Sequence, residues 1–372
     1  MANLFKRFMR PPDPARLPRL TLAQRVVDKI VANALIYQTE TGESLVGLAI
    51  PNNARLEPDL YVIDTIAPDD TAVRAGAYFE QGDDLQGDIF NWLHDNWEQM
   101  RVRARVISSD NILPKWDAPL LHLGDWHKHP GTLVEPSWGD TATAREVIHD
   151  RDANTPQILV ILATVWQKFF SEVESLAPAS AEEMVDEATD EFPEDLRPDL
   201  GEAPPLYVPV DAGDLLVRID CWYMSRNIRR FTRLAPLVVP NADLPSLPIV
   251  GWHLSQPERL RSEVELLTKA GYSVSVEQFD TDRVPPQEIC FSVAKRNSPN
   301  VIIVITEADF PKGMPRIRVT PMATLREIPE DSNIFDHLWN RSQPLAQTAY
   351  PTWTWSETHT LLELVSAVEA HV

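Results

Sequence analysis

Between Ser171 and Ala203 the chain carries twelve carboxylates against a single arginine, Arg197, with few large apolar side chains and scattered prolines. Like charges at that density repel one another and leave too little apolar surface to bury, so the stretch cannot belong to a core. It reads as a solvated loop or insertion, about residues 171–205. Folding must happen on either side. Asp214–Met224 and Thr232–Val239, which follow it, have strand character and can return to a sheet begun before it. The stretch then interrupts one domain instead of dividing two.

The rest of the composition is ordinary. Over 372 residues, 44% hydrophobic and 24% charged side chains exclude whole-chain disorder, and the length predicts two or three domains. The net charge of −21, half of it in the acidic stretch, disfavours nucleic acid and anionic membranes as partners. Two cysteines, Cys221 and Cys290, are too few for a disulfide framework and lack Cys-x-x-Cys spacing. With no apolar run of leader or membrane-span length, the expectation is a soluble cytoplasmic protein.

Helix and strand patterns alternate before the acidic stretch. Thr21 and Gln24 suggest a capping box ahead of Leu22, Val26, Ile30 and Ala34 at helical spacing, and Leu85, Ile89, Leu93 and Trp97 repeat likewise. Strands are expected at Leu45–Ile50, Leu60–Ile66, Leu120–Trp126 and Gln157–Val165, and a helix at Thr141–Ile148. The proline-rich segment Pro240–Pro248 marks a boundary, giving domains 15–240 and 245–372. Beyond it come a helix with Ser255 and Glu258 as a capping box, a meander Tyr272–Gln278, Glu288–Ala294 and Val301–Thr306, a strand Arg316–Thr320, and a closing helix Thr358–Ala370. The fold class expected is α/β: a mixed sheet flanked by helices, then a smaller α+β domain with an antiparallel meander.

Chemistry concentrates in GDWHKHPGTLVEPSWGD, residues 124–140. His127 and His129 are two apart at a strand end, which turns both imidazoles to one side, as a shared metal requires. Asp140 supplies a third ligand of the type zinc takes, leaving one tetrahedral position for water. Ser137 and Asp140 also fit a capping box for the following helix, which alone leaves the histidines unexplained. His122 falls outside this spacing. Asp125 and Glu135 are near enough to compete as ligands, and Trp126 and Trp138 are expected to pack. Cys221 and Cys290 lie in strands and are poor candidates for a nucleophile.

This segment resembles the His-x-His-x7-Ser-x2-Asp motif of the JAMM/MPN metalloprotease family. The resemblance implies an MPN-type sheet, Zn2+ on His127, His129 and Asp140, and Ser137 as donor to the oxyanion. It also implies an upstream glutamate followed by glycines three and seven residues on. Glu40 with Gly47 fits that pattern; Glu43 stands where a glycine is usual and remains the alternative. The activity implied is hydrolysis of the bond after the C-terminal tail of a ubiquitin-like protein, in deconjugation or precursor processing. Separately, VIIVITEADFPKGMPRIRVTP and WTWSETHTLLELV, residues 301–321 and 353–365, resemble the ubiquitin-conjugating (UBC) or RWD fold. No cysteine occurs between Val319 and Val372, which implies a non-catalytic module for a modifier, its conjugates or a conjugation enzyme. Two alternatives stand beside this: a scaffold of both domains in a bacterial ubiquitin-like pathway that cleaves nothing, and a zinc amidase or cysteine-releasing hydrolase for small molecules.

Overall fold

The computed structural model describes residues 17–76, 78–82, 84–107, 115–150, 155–168, 206–281, 287–327 and 333–372; the acidic stretch lies outside them. Mixed α/β architecture is present throughout, in two compact units. One joins the described residues up to Gln86 with Ala118–Ser246, and the other joins Gly87–Asp117 with Leu247–Val372.

The first unit is built from β1 (Leu20–Ala23), α1 (Gln24–Ile36), β2 (Gly42–Ile50), β3 (Asp59–Ile66), the hairpin β4 (Val73–Ala75) and β5 (Tyr78–Glu80), β6 (Leu121–Lys128), the later helix α3 (Trp138–His149), β7 (Gln157–Gln167), β8 (Tyr207–Ala212), β9 (Leu215–Ser225), β10 (Thr232–Leu234) and β11 (Pro236–Val239). Nine of these strands make one mixed sheet in the order β10-β9-β7-β6-β2-β3-β1-β11, with β8 on β9. β7 and β9, on either side of the acidic stretch, pair antiparallel along their whole length.

The strand expected at Thr232–Val239 is two strands, because Pro236 has no N–H to continue a ladder. β10 and β11 occupy opposite ends of the strand order with only Ala235 between them. Neighbouring Cα atoms are about 3.8 Å apart, so the two edges must meet and the sheet curls back on itself. Inside lie Leu22, Val26, Ile30, Leu45, Leu48, Val62, Ile161 and Ile219, all fully buried. Thr21 does not cap α1, since Leu20–Ala23 is held as a strand by β3 and β11. The cap comes from far along the chain, where Asn241 Oδ1 accepts the Arg25 N–H at 2.8 Å.

The second unit contains α2 (Leu85–Ile107) from Gly87 onward, a short helix α4 (Trp252–Ser255), α5 (Pro257–Lys269), the antiparallel sheet β12 (Tyr272–Asp280), β13 (Gln287–Lys295), β14 (Asn300–Thr306), β15 (Arg316–Pro321) and β16 (Gln343–Pro344), α6 (Ile334–Arg341) and α7 (Leu361–Glu369). The boundaries expected from sequence, 15–240 and 245–372, therefore change. α2 belongs here because Trp92 Nε1 donates to Ile249 O at 2.9 Å, Trp92 packs edge-on against His253, and Arg103 pairs with Asp280. Ser255 ends α4 and bonds its own turn at Trp252 O, so the expected Ser255–Glu258 box does not form and α5 starts on Pro257. The helix α6 was not expected. Among the described residues no helix is long and apolar enough to cross a membrane.

Candidate metal centre

β6 and β7 run parallel as neighbours with α3 as their crossover, which sets the N-terminus of α3 beside the C-terminal end of β6. This is where α/β units place ligand sites, because strand-end side chains and a helix N-terminus converge there. Strand alternation turns Asp125 and His127 to one side of β6 and buries Trp126 on the other, and His129 follows in step one residue past the strand. His129 is still held as if in the ladder, its N–H bonding Ala163 O at 3.0 Å.

Ser137 caps α3. Its Oγ accepts the Asp140 N–H at 3.2 Å while Asp140 Oδ2 accepts the Ser137 N–H at 2.6 Å. The box fixes the Asp140 carboxylate facing the histidines. His127 Nε2 lies 3.1 Å from His129 Nε2 and 3.4 Å from Asp140 Oδ1, and His129 Nε2 lies 3.4 Å from Asp140 Oδ2.

The outer bonds decide what this triangle wants. His129 Nδ1 is 3.0 Å from Leu133 O, a carbonyl that can only accept, so Nδ1 carries the proton and Nε2 a lone pair. His127 Nδ1 is 3.1 Å from Asp125 Oδ1, which fixes the same tautomer when that ring is neutral. Two imidazole lone pairs and a carboxylate then point at one another, an arrangement stable only around a positive charge. Donors bonded at about 2.0–2.1 Å in a tetrahedron sit about 3.3 Å apart; the two imidazole nitrogens are 3.1 Å apart, and each has a different oxygen of Asp140 at 3.4 Å. His127, His129 and Asp140 form a group that could hold a metal ion.

The charges agree. Burial disfavours an imidazolium at His127, but the carboxylates of Asp125 and Asp140 outweigh it and push its pKa up to about 10. Burial likewise raises Asp140, and the bonds from His127, His129 and Ser137 more than reverse this, holding it well below the usual carboxylate range. Without a metal the site draws in a proton; a bound cation takes that proton's place.

All three groups face a cavity of about 480 Å3 that is also lined by Glu40, Tyr78, Phe79, Leu133, Ser137 and Thr143. Burial raises the Glu40 carboxyl above its ordinary value; the two histidines lower it and Asp140 raises it. Glu43 is engaged elsewhere, accepting from Asn33 Nδ2 at 2.8 Å and Trp126 Nε1 at 3.2 Å. Gly42, not residue 43, is the glycine the geometry needs here, since a Cβ on it would lie 2.2 Å from Trp126 O. Gly47 is equally tight, its Cβ position 1.9 Å from Tyr61 O.

Two supporting residues, Lys128 and Trp222, went unread in the sequence, and a third has a different role from the one expected. Asp125 stands behind His127 as an outer partner, not as a competing ligand, a role its i, i−2 spacing could have announced. Lys128 points away from the cavity and donates to Ala34 O and Tyr37 O at 2.9 and 2.6 Å, tying the end of α1 and thereby the approach to Glu40. Trp222 on β9 donates to Val134 O at 3.0 Å and pins the loop whose Leu133 carbonyl orients His129. Nothing local in the sequence signals that last contact. Trp138, expected to pack, is 86% exposed, because it occupies the outward first position of α3. Glu135 is exposed and outside the group, and Cys221 and Cys290 are buried thiols whose pKa burial pushes up.

Compared with known protein families and curated proteins, the chain matches no family model and no curated sequence.

Proposed function

We propose that the first unit is a zinc-dependent isopeptidase, resembling the JAMM/MPN metalloproteases, that hydrolyses the bond after the C-terminal tail of a ubiquitin-like modifier. The observation that carries this reading is the convergence of two imidazole nitrogens and the Asp140 carboxylate on a cavity shared with a second carboxylate and a hydroxyl. Two nitrogens and one oxygen from the protein, facing a cavity, form a ligand set typical of catalytic zinc; structural zinc is usually closed by four protein ligands. When bound, zinc would acidify water and polarise a carbonyl.

The chain's own groups supply the remaining steps. Glu40, raised by burial and set in the same cavity, takes a proton from the attacking water and delivers one to the departing amine. Ser137 Oγ accepts the Asp140 N–H and its O–H lies within reach of the Asp140 carboxylate; on this reading the O–H turns from that carboxylate to donate to the oxygen that becomes negative as the carbonyl is attacked. Asp125 and the Leu133 carbonyl hold the two imidazoles in one tautomer, so no reorientation is needed during turnover.

The second unit, on this reading, is a UBC/RWD-like module that binds a modifier, its conjugate or a conjugation enzyme without chemistry of its own. Its helix, antiparallel meander and final helix follow the expected order, and its one cysteine, Cys290, is fully buried in β13. The test is to purify the full chain, measure its metal by mass spectrometry, and offer ubiquitin-like proteins fused to a reporter beside small amide substrates. Zinc at one ion per chain and cleavage after the modifier tail, lost in Glu40→Gln with zinc retained, is the expected result. Zinc without cleavage of any fusion would favour the scaffold, and cleavage of small amides alone would favour a small-molecule hydrolase.

A further inference from the structure

A second cavity of about 230 Å3 lies at the other end of α3, lined by Arg145, Ile148, His149, Met224, Ser225 and Arg229. Its floor is apolar, for Ile148 and Met224 are buried. Its rim is basic. Four arginines, Arg226, Arg229, Arg230 and Arg233, fall within eight consecutive residues that run from the end of β9 into β10, in a chain of net charge −21. Two of these are committed. Arg226 Nε donates to Ile148 O at 3.2 Å and anchors the loop to the end of α3, and Arg233 pairs with the buried Asp220. Arg145 and Arg229 make no ion pair with any described residue and both line the cavity, whereas Glu146 and Asp150 on the same stretch do not line it. Beyond about 8 Å physiological salt screens the protein's remote negative charge; the carboxylate bonded to the lining, Glu57, is buried and accepts from Ser225 Oγ at 3.1 Å and Asn227 Nδ2 at 3.0 Å, so the exposed charges at the cavity are those of Arg145 and Arg229.

The two cavities share a wall. Ala144, Ile148, Ile158 and Met224 form one buried cluster; Ala144 and Ile158 face the metal centre, and Ile148 and Met224 face the basic cavity. At about 1.5 Å per helical residue, Arg145 and His149 lie roughly 7 to 14 Å along α3 from Asp140. An extended peptide covers that span in about two to four residues. We propose that the basic cavity is a specificity subsite that takes an acidic side chain of the protein substrate two to four residues from the cleaved bond. This rests on the hydrolase reading.

Binding and cleavage are measured separately. Fluorescently labelled hexaglutamate, hexalysine and hexauridylate are titrated into the zinc-loaded full chain by anisotropy. Reporter fusions are cleaved with Asp or Lys placed at each of the four residues on either side of the scissile bond. The subsite predicts hexaglutamate binding that falls at least tenfold in the Arg145→Ala/Arg229→Ala double variant, with zinc content and circular dichroism unchanged. It also predicts a preference for Asp at one or more of positions two to four, which Arg229→Glu turns toward Lys. Hexaglutamate binding equal in wild type and double variant, absent from wild type, or weaker than hexauridylate binding would overturn it, as would cleavage indifferent to charge. Arginine-dependent peptide binding in a chain that cleaves no fusion would instead remove the hydrolase reading, and the substrate assignment with it, while leaving an anion site.

Discussion

In the first unit β6 turns Asp125 and His127, and His129 just past its end, toward a cavity, whereas in the second unit β13 and β14 turn Cys290, Val301, Ile303 and Ile305 into a core closed by Phe335 and Leu338. The alternation of side chains is the same in both. What differs is the demand those side chains make on their surroundings. Apolar groups are satisfied by contact with one another and need nothing further. Two imidazoles and a carboxylate that converge call for a positive charge, a proton or a metal ion, so the first arrangement could hold a cation and the second has no group that asks for one. A sheet thus becomes a site through the residues at its inward positions and the helix terminus brought to its end.

On the proposed zinc-hydrolase reading, the largest effect expected is from removing a donor. His129→Ala or Asp140→Ala should lose zinc by more than the roughly 10–100-fold that loss of an outer-shell partner causes, and should abolish cleavage. Cys290→Ala, at the corresponding inward position of the other unit, should lower the unfolding midpoint yet leave zinc and cleavage at wild-type levels. If Cys290→Ala abolished zinc binding or the proposed cleavage without unfolding the chain, the contrast between the units would collapse.

Next, on the same reading, comes Glu40 as the proposed base. Glu40→Gln should reduce kcat by about 10²–10⁴-fold while zinc stays bound. Because burial raises the Glu40 carboxyl above 4.5 and a base acts only when ionised, wild-type activity should fail on the acid side at a pH above that value. Retention of more than a tenth of kcat in the variant would assign the proton transfer to another group. Ser137→Ala separates the observed cap from the proposed oxyanion donor. Loss of the oxyanion donor should lower kcat by about 10²–10³-fold. Loss of the cap should cost about 1 kcal/mol of stability in chemical denaturation. A fall in stability with kcat intact would leave Ser137 as a cap alone.

Much of this site can be read along the sequence because its parts are local. His127 and His129 share a face by strand alternation, and Ser137 and Asp140 share a turn by helix capping, so spacing alone brings them near one another. The same locality misled the reading of helix starts. Thr21 and Ser255 have capping-box partners at the right distance, but β1 pairing claims the first and the turn of α4 claims the second. The domain boundary was hidden because α2, the helix that crosses it, is joined to the second unit by contacts 157 and 177 residues away along the chain. The split of Thr232–Val239 into two edges is likewise a consequence of sheet closure, for which only Pro236 gives a local sign.

Trp222 is the sharpest test of how far the first unit's demand extends beyond the ligands. Its N–H holds Val134 O, and the adjacent Leu133 carbonyl fixes the His129 tautomer, while its ring carries Arg233 on one face. Trp222→Phe keeps an aromatic surface for the guanidinium and removes only the donor. The loop should then hold Leu133 less firmly and His129 should sample the wrong tautomer more often. Zinc affinity measured by competition with a chelator should drop toward the lower end of the outer-shell range, about tenfold. The melting temperature of the zinc-free chain should change little, because the packing is retained. The opposite pattern, unchanged zinc affinity with a lower melting temperature, would make Trp222 a core residue like Phe335 and confine the site's requirements to the groups that touch the metal and their immediate partners.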